Sequence, residues 1–308
     1  MTGKGRLPSR PMAPLTKVLR ENGVSASSDN LPITIKGKLQ GGEYSLAGNI
    51  SSQYISGLLF AAPLLKEKST ITLTSPLEST GYVDMTIDAM KTFGVEVETG
   101  QQFFKIKPTK YRGTNEIIEG DWSQAAFFMS AAAIGSEITI SGLKFNSLQG
   151  DMAALDVFSR FGADITIEND KCHIKHNKLC GIEVDASNIP DMVPAIAATA
   201  AFAKGKTVIH SAGRLRLKES DRIKTTIAAL TAMGVKVEEK PDGMIIYGGQ
   251  PKGAVIDGAG DHRIVMAFTV AASFAKGESI ITGAEAISKS YPEFFYDIKV
   301  LEGKINEI

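Results

Sequence analysis

Cysteine is scarce in this sequence, which also has no excess of one charge sign and no long hydrophobic run. Two cysteines, Cys172 and Cys180, are too few for a disulfide framework and favour a reducing compartment. Lys plus Arg equals Asp plus Glu at 34 each, so no overall field would attract nucleic acid or an anionic membrane. The longest apolar stretch, 55–65, is too short to span a bilayer, and no signal-peptide pattern opens the chain. We expect a cytoplasmic protein with neither nucleic acid nor membrane as a partner.

Motifs of the common cofactor and hydrolase classes are also absent. The glycine-rich segment GGQPKG lacks the spacing and the Lys-Ser/Thr ending of a nucleotide-binding loop. Neither a Gly-x-Ser-x-Gly elbow nor a paired-His zinc motif occurs.

One cluster resembles a metal site. Cys172, His173, His176 and Cys180 fall within nine residues, but tetrahedral zinc sites usually use two well-separated ligand pairs. We therefore prefer an alternating strand over 171–175, followed by a turn.

A repeat organises the chain: a helix rich in small residues, followed by a short Thr/Ile/Val strand, occurs four times. These helices are predicted to begin near residues 51, 123, 191 and 261, at spacings of 72, 68 and 70 residues. Second helices are expected near residues 84, 151, 221 and 293. Because each unit mixes two helices with three or four strands, the sequence predicts an α/β fold of repeated βαβαββ modules.

The repeat pattern begins partway through a module and indicates where one domain gives way to the next. Segment 11–25 is typical of the second helix and strand of a further unit whose first half is absent, so we expect an N-terminally truncated chain. A change of domain is expected near residue 120. This predicts a remnant of one domain at 1–119 and a second domain of three βαβαββ units at 120–308.

Helix starts favour anions, because free N–H groups and the positive end of the dipole meet there. Ser51, Ser52 and Gln53 could donate hydrogen bonds to a phosphate or polyol at such a start, although Ser-Ser is commonly a simple N-cap. Asp191, at another start, is explained by capping alone. Lys289, in a turn before the last helix, is typical of a surface lysine.

Cations near two helix starts conflict with the dipole. Arg214, Arg216 and Lys218 alternate with leucines as in an extended, half-buried segment. Arg222 and Arg263 then fall in first turns, where a cation is unfavourable and an anionic partner is needed. A solvated charged face is the alternative.

Taken together, five segments resemble the EPSP synthase family of enolpyruvyl transferases. They are Ser51-Ser52-Gln53, Asn188-Ile189-Pro190-Asp191, Leu217-Lys218-Glu219-Ser220-Asp221-Arg222, Gly260-Asp261-His262-Arg263 and Lys289-Ser290-Tyr291-Pro292. Each is weak alone, but they occur in the family's order over essentially the whole chain and are jointly specific.

The resemblance implies a two-domain, inside-out α/β barrel of βαβαββ units, with the first domain incomplete here. It implies transfer of the enolpyruvyl group of phosphoenolpyruvate to the 5-hydroxyl of shikimate 3-phosphate, in the shikimate pathway to chorismate and the aromatic amino acids. The methylene carbon is protonated, the hydroxyl attacks C2, and the tetrahedral adduct loses phosphate. No metal or organic cofactor is needed. We expect a monomer whose partners are the two small-molecule substrates.

The resemblance also assigns roles to residues. Asp191 would be the base facing the attacking hydroxyl, with Lys218 and Glu219 as the proton-transfer pair. Positions matching contacts to shikimate 3-phosphate are Ser51, Ser52, Gln53, Ser79, Tyr82, Asp191, Arg214 and Lys218. Positions matching the shell around phosphoenolpyruvate, where arginine offers bidentate geometry, are Arg10, Gln53, Arg222, His262, Arg263 and Lys289.

Departures from the family pattern leave alternatives open. The family's N-terminal Lys-Ser-x-x-x-Arg segment and its Asn-Ala-Gly-Thr loop do not occur here, and Gln124 and Arg214 replace the Ser and Asn of other members. The chain could be a catalytically inactive fragment that needs its missing N-terminal part. The related transferase acting on UDP-N-acetylglucosamine shares the fold, but the Lys-Glu-Ser-Asp-Arg and Ser-Ser-Gln segments favour shikimate 3-phosphate.

Overall fold

A computed structural model describes residues 1–306 and divides the chain into two compact units. The first is built from 1–118 and 148–150, the second from 119–147 and the chain from 151 onward. The domains expected at 1–119 and 120–308 remain a prediction, because a compact unit is not by itself a domain that folds alone.

The first unit contains one complete module and the end of another. In chain order its elements are α1 (Ala13–Glu21), β1 (Val24–Ala26), β2 (Ile35–Gly37), β3 (Glu43–Leu46), α2 (Ser52–Ala61), β4 (Ser69–Leu73), α3 (Thr80–Thr92), β5 (Val97–Thr99) and β6 (Phe103–Ile106). Strands β3 and β4 are parallel, and the sheet order is β3-β4-β6-β5. The helix and strand predicted over 11–25 are confirmed as α1 and β1.

The second unit contains one complete module flanked by two partial ones. Its elements are α4 (Trp122–Gly135), β7 (Glu137–Ser141), α5 (Ala154–Phe161), β8 (Asp164–Glu168), β9 (Lys171–Lys175), β10 (Glu183–Asp185), α6 (Val193–Ala200), β11 (Lys206–His210), α7 (Arg222–Ala232), β12 (Lys236–Lys240), β13 (Gly243–Tyr247), β14 (Val255–Asp257), α8 (His262–Phe274), β15 (Ile280–Thr282) and α9 (Phe294–Val300). The chain also has 3-10 helices at Leu7–Ser9, Ala62–Leu64, Gly150–Ala153, Pro190–Met192, Gly213–Leu217 and Ala284–Lys289.

The complete modules of the two units have the same topology. The run β10-α6-β11-α7-β12-β13 folds into a sheet of order β10-β11-β13-β12, with β10 parallel to β11 as β3 is to β4. Both modules have a glycine just before the first strand. A Cβ at Gly41, before β3, would lie 2.5 Å from the Glu67 carbonyl oxygen, and one at Gly181, before β10, would lie 2.1 Å from that of Lys206. The predicted α/β architecture of repeated βαβαββ modules is confirmed.

Three helices form the centre of the second unit. Helices α4, α6 and α8 are apolar or small-residue on nearly every side and pack against one another, as expected of helices without a polar face. Two of their buried hydroxyls, those of Ser130 in α4 and Thr199 in α6, lie 2.8 Å apart. This packing brings the first turns of the three helices together.

Several local predictions were wrong. Helix α3 begins at Thr80, four residues before the position predicted. The segment expected to be extended around Arg214 and Arg216 is the 3-10 helix Gly213–Leu217. Asp191 does not cap α6: it lies within the 3-10 helix Pro190–Met192, and its carboxylate is engaged by arginine.

No helix within residues 1–306 is long and apolar enough to cross a bilayer.

Candidate active site

The predicted residues of the second unit follow the carboxyl ends of two pairs of parallel strands. Asp191 follows β10 and Lys218 follows β11, while Arg263 follows β14 and Lys289 follows β15. Parallel strands end at the same edge of a sheet, where ligand sites of α/β proteins are usually found. The two strand pairs therefore gather residues that are far apart in the sequence.

Arg222 is the centre of this group. Its guanidinium, 1% exposed, donates to Asp191 Oδ1 at 2.7 Å and to Glu219 Oε2 at 2.7 Å. It also forms a two-point contact with Asp261, from Nε to Oδ2 at 2.8 Å and from NH2 to Oδ1 at 3.2 Å. The anion required by an arginine in a first helical turn is thus supplied by the chain's own carboxylates.

Asp191 is surrounded by cations. Besides Arg222, the Lys218 Nζ atom lies 3.4 Å from its Oδ1, and Arg263 NH2 lies 3.5 Å from its Oδ2. Burial alone would raise the pKa of Asp191, but the charges of Arg263, Lys218 and Arg222 outweigh it and hold the pKa well below its usual range. Asp191 is therefore a carboxylate at neutral pH.

Glu219 joins Arg222 to Lys289. Its Oε2 accepts from Arg222, and its Oε1 accepts a hydrogen bond from Lys289 Nζ. Burial raises the pKa of Glu219, but Arg222 and Lys289 lower it more, to about 2. The Lys289 side chain is 50% exposed, so its ion pair is the one most open to exchange with solvent or a ligand.

Lys218 and His262 are the groups whose protonated forms are disfavoured. Burial lowers the pKa of Lys218, and the nearby Arg222 charge adds to this, although Asp191 opposes it. Burial, reinforced by Arg263, lowers the pKa of His262 to about 4, so the ring is neutral at pH 7. Among the described residues, His262 Nδ1 has no hydrogen-bond partner.

Charges in this cluster do not balance. Four cationic groups face three carboxylates, which leaves one net positive charge with His262 neutral. The cations are Lys218, Arg222, Arg263 and Lys289, and the carboxylates are Asp191, Glu219 and Asp261. A mostly buried cluster with excess positive charge is suited to an anionic ligand.

Arg214 links the two loops that carry Asp191 and Lys218. Its NH2 group donates to the Ser187 carbonyl oxygen at 2.8 Å, which joins the segment after β10 to the segment after β11. Arg216, in contrast, pairs with Asp221 and Glu239 and donates to backbone carbonyls, so it stabilises the hairpin of β12 and β13.

The remaining predicted residues lie in the first unit. Ser51 is the N-cap of α2 and precedes buried Ser52 and exposed Gln53, while buried Ser79 is the N-cap of α3, one turn before Tyr82. The loops before α2 and α3 follow parallel strands β3 and β4. They are joined by hydrogen bonds from Gly48 N to Ser75 Oγ, at 3.0 Å, and from Glu78 N to Gly48 O, at 3.2 Å.

Arg10 also belongs to the first unit, where it follows the 3-10 helix Leu7–Ser9. Burial raises the pKa of Tyr54, and the positive charge of Arg10 opposes that shift, so the guanidinium lies near α2.

Two residues of this site, Asp261 and Ser123, are not among those predicted. In the sequence, Asp261 marks a helix start within one of the family segments, and Ser123 belongs to a small-residue helix. In the structure, the Ser123 hydroxyl accepts a hydrogen bond from Arg263 NH2 at 3.1 Å. Asp261 does accept from Arg263 N at 3.1 Å as an N-cap, but the same carboxylate also fixes Arg222. The sequence signal was the pairing of a capping Asp with an Arg in the same first turn.

Within residues 1–306, no group of three or more His, Cys, Asp and Glu side chains could hold a metal ion. Cys172 is buried in β9 and His173 Nδ1 lies 2.8 Å from Thr139 Oγ1. The strand predicted over 171–175 is confirmed as β9.

Solved structures place this architecture in a known class. The chain resembles an EPSP synthase from Acinetobacter baumannii, with a TM-score of 0.79 and 31% identity, over 97% of this chain and 72% of that one. The enolpyruvyl transferase NikO from Streptomyces tendae gives a TM-score of 0.79 at 17% identity, which is a likeness of fold alone. The fold is therefore that of the enolpyruvyl transferases.

Sequence comparisons then define the family. The family model for EPSP synthase (3-phosphoshikimate 1-carboxyvinyltransferase) matches residues 1–298. The 3-phosphoshikimate 1-carboxyvinyltransferases of Clostridium acetobutylicum and Methanocaldococcus jannaschii are each 42% identical over 99% of this chain, which covers 72% and 73% of their lengths. The chain belongs to the EPSP synthase family, so the resemblance drawn from its motifs is confirmed.

Proposed function

We propose that this chain, like the relatives that bear the name, is a 3-phosphoshikimate 1-carboxyvinyltransferase. The reaction transfers the enolpyruvyl group of phosphoenolpyruvate to the 5-hydroxyl of shikimate 3-phosphate and releases phosphate. The observation that carries the proposal is the second unit's cluster, which has a net positive charge. In it, buried Arg222 contacts Asp191 and Glu219, and Lys218 pairs with Asp191. We further propose that it acts as a cytoplasmic monomer.

The cations divide into a fixed group and an exchangeable one. Arg222 is buried and held by Asp261, so it keeps its position and orients Asp191 and Glu219. Lys289 is half exposed and paired with Glu219 alone among the described contacts, so an incoming carboxylate or phosphate can replace that partner. Arg263 lies between these extremes, because its guanidinium is buried but held at longer distances.

Anion binding would activate the two carboxylates. Both are weak bases in the free protein, because neighbouring cations hold their pKa values down. A trianion that neutralises Arg263 and Lys289 removes part of that effect, and the pKa values of Asp191 and Glu219 then rise towards the range useful for proton transfer. Phosphoenolpyruvate would thereby prepare its own proton acceptor.

The proposed steps balance in protons and electrons. As the 5-hydroxyl oxygen bonds to C2, its proton passes to Asp191, and the methylene carbon takes a proton from the Lys218 and Glu219 pair. The tetrahedral adduct then breaks its C2–O bond to phosphate, and the departing phosphate takes the proton held by Asp191. A methyl proton returns to the Lys218 and Glu219 pair as the double bond forms. The side chains that carry these protons, Asp191, Lys218 and Glu219, already take part in ion pairs of the cluster.

The test is release of phosphate from phosphoenolpyruvate that depends on shikimate 3-phosphate. Because the chain covers 72% of its Clostridium relative, the assay is run with the chain alone and with the remainder of that relative added as a separate polypeptide. Release in either arm supports the proposal. A folded chain that releases no phosphate in either arm contradicts it.

Variants of the proton-transfer pair test the assigned roles. Lys218→Met and Glu219→Gln should each lower turnover by about 10²–10⁴-fold, the usual contribution of a positioned acid or base. Lys224→Met is the matched control, since Lys224 is an exposed lysine on α7 near the same segment. Near-normal turnover of both cluster variants would contradict the assignment.

A further inference from the structure

Ser123, in the first turn of α4, contacts an arginine 140 positions later in the chain. Its hydroxyl oxygen accepts a hydrogen bond from Arg263 NH2 at 3.1 Å. The same hydroxyl donates to Asp121 Oδ1 at 2.6 Å, and the side chain is buried. Ser123 therefore joins the start of α4 to the cation cluster.

Asp121 fixes the direction of this contact. A serine hydroxyl has one proton, and donation to the Asp121 carboxylate leaves only lone pairs to face Arg263. Asp121 is itself held in place as the N-cap of α4, where Oδ1 accepts from Ser123 N at 2.8 Å and from Gln124 N at 3.3 Å. The hydroxyl consequently acts as a fixed acceptor for a guanidinium group.

The chemistry of this acceptor matters for a ligand. Arg263 has two other anchors, the Asp191 carbonyl oxygen at 3.2 Å and Asp191 Oδ2 at 3.5 Å. A carboxylate in place of Ser123 would add a second negative charge beside Arg263, besides that of Asp191, whereas the neutral hydroxyl orients the guanidinium without adding charge. Three anchors on two helix starts define the plane of the guanidinium.

We propose that Ser123 is a positioning residue that, oriented by Asp121, sets Arg263 for binding phosphoenolpyruvate. The inference rests on the proposed function. The repeat is a second observation. The dipeptide Ser-Gln occurs as Ser52-Gln53 at the start of α2 and as Ser123-Gln124 at the start of α4, the first helices of successive modules.

The experiment compares two serines of one helix. Ser123→Ala removes the acceptor, and Ser130→Ala is the control, because Ser130 is also buried in α4 but bonds Thr199 Oγ1 at 2.8 Å, away from the cations. Calorimetric titration with phosphoenolpyruvate should show about tenfold weaker binding for Ser123→Ala, the loss of one hydrogen bond to a charged group. Ser130→Ala should bind as the wild type does.

A double-mutant cycle separates positioning from general damage. Arg263→Lys keeps the charge but loses the NH2 group that Ser123 contacts, so adding Ser123→Ala to it should weaken binding less than twofold further. Wild-type affinity in Ser123→Ala, an equal loss in Ser130→Ala, or an undiminished loss in the Arg263→Lys background would each overturn the proposal.

A ligand-free measurement keeps this inference distinct from the proposed function. If the wild-type chain does not bind phosphoenolpyruvate, crystal structures of wild type and Ser123→Ala are compared instead. Movement of the Arg263 guanidinium away from its wild-type position supports the positioning role, while an unchanged Arg263 overturns it. Absence of binding by the wild-type chain alone does not bear on the positioning role, and the proposed function is then decided by the two-arm phosphate-release assay.

Discussion

Arg222→Met tests the cluster most severely, because it removes the group on which three carboxylates converge. Asp191 would keep Lys218 and Arg263, and Glu219 would keep Lys289. Asp261 would lose both of its contacts to Arg222 while its side chain is 0% exposed. It would retain donors such as the Ser220 hydroxyl at 3.0 Å, which carry no full charge.

The expected loss of stability follows from that one carboxylate. Breaking a buried ion pair from one side costs about 3–5 kcal/mol, because a desolvated charge remains. Methionine keeps much of the side-chain volume, so we attribute the loss to charge rather than to a cavity. We expect the free energy of unfolding of the second unit to fall by about 3–5 kcal/mol at pH 8.

The effect should depend on pH with a definite sign. In the wild type, burial raises the pKa of Asp261 but Arg222 lowers it more, so the ion pair stabilises above the unfolded pKa and is lost as pH falls. In the variant, burial acts without Arg222 and raises that pKa, so protonation stabilises the folded state as pH falls. The difference between the two proteins should therefore shrink from pH 8 to pH 4.5.

Urea unfolding followed by Trp122 fluorescence measures this directly, since Trp122 is the sole tryptophan and is buried in the second unit. Arg160→Met is the control, because Arg160 pairs with Asp156 at 3.3 Å between largely exposed side chains and should cost no more than about 1 kcal/mol. A loss below about 1 kcal/mol for Arg222→Met, or one equal at both pH values, would refute the reasoning.

Two further predictions concern groups shifted by burial. The pKa of His262 is lowered to about 4, so its stabilising contribution is complete above about pH 6.5 and is lost as pH falls towards 4. In wild type, the free energy of unfolding should fall by up to about 3 kcal/mol between pH 6.5 and pH 4 because of His262, and His262→Gln should lack that fall in urea unfolding. An equal fall in the two proteins would contradict the burial argument. Exposed Cys180 should react with a thiol reagent in the folded protein, whereas buried Cys172, whose pKa burial raises to about 11, should react only in urea. Two rapidly reacting thiols would contradict this.

Sequence periodicity was enough to predict the modules. Small-residue helices such as α4 and α8 and short strands such as β7 repeat at nearly constant spacing, because each module must bury the same central helix. Boundaries were less predictable. Segment 213–217 alternates charged residues with leucine, which predicts a strand, but it forms a 3-10 helix. In that helix Arg216 donates to the Lys240 and Pro241 carbonyl oxygens, contacts that the local sequence pattern does not indicate.

The sequence indicated the cations of the candidate site but not the side chains that pair with them. Arg222 and Arg263 stand out because cations oppose the dipole at helix starts. Their partners come from other loops: Asp191 lies 31 positions before Arg222, and Ser123 lies 140 positions before Arg263. Such contacts depend on the parallel strands that bring loop ends together, which residue spacing alone does not reveal.

The most direct test of the proposed transfer follows the carbon that is protonated. The chain, alone and with the remainder of a full-length relative, is given phosphoenolpyruvate and shikimate 3-phosphate in D₂O, and the products are examined by NMR. Because the methylene carbon gains a solvent proton before a methyl proton is lost, the account predicts an enolpyruvyl ether that carries deuterium in its methylene group. A folded chain that forms no ether in either arm, or an ether without deuterium, would contradict it.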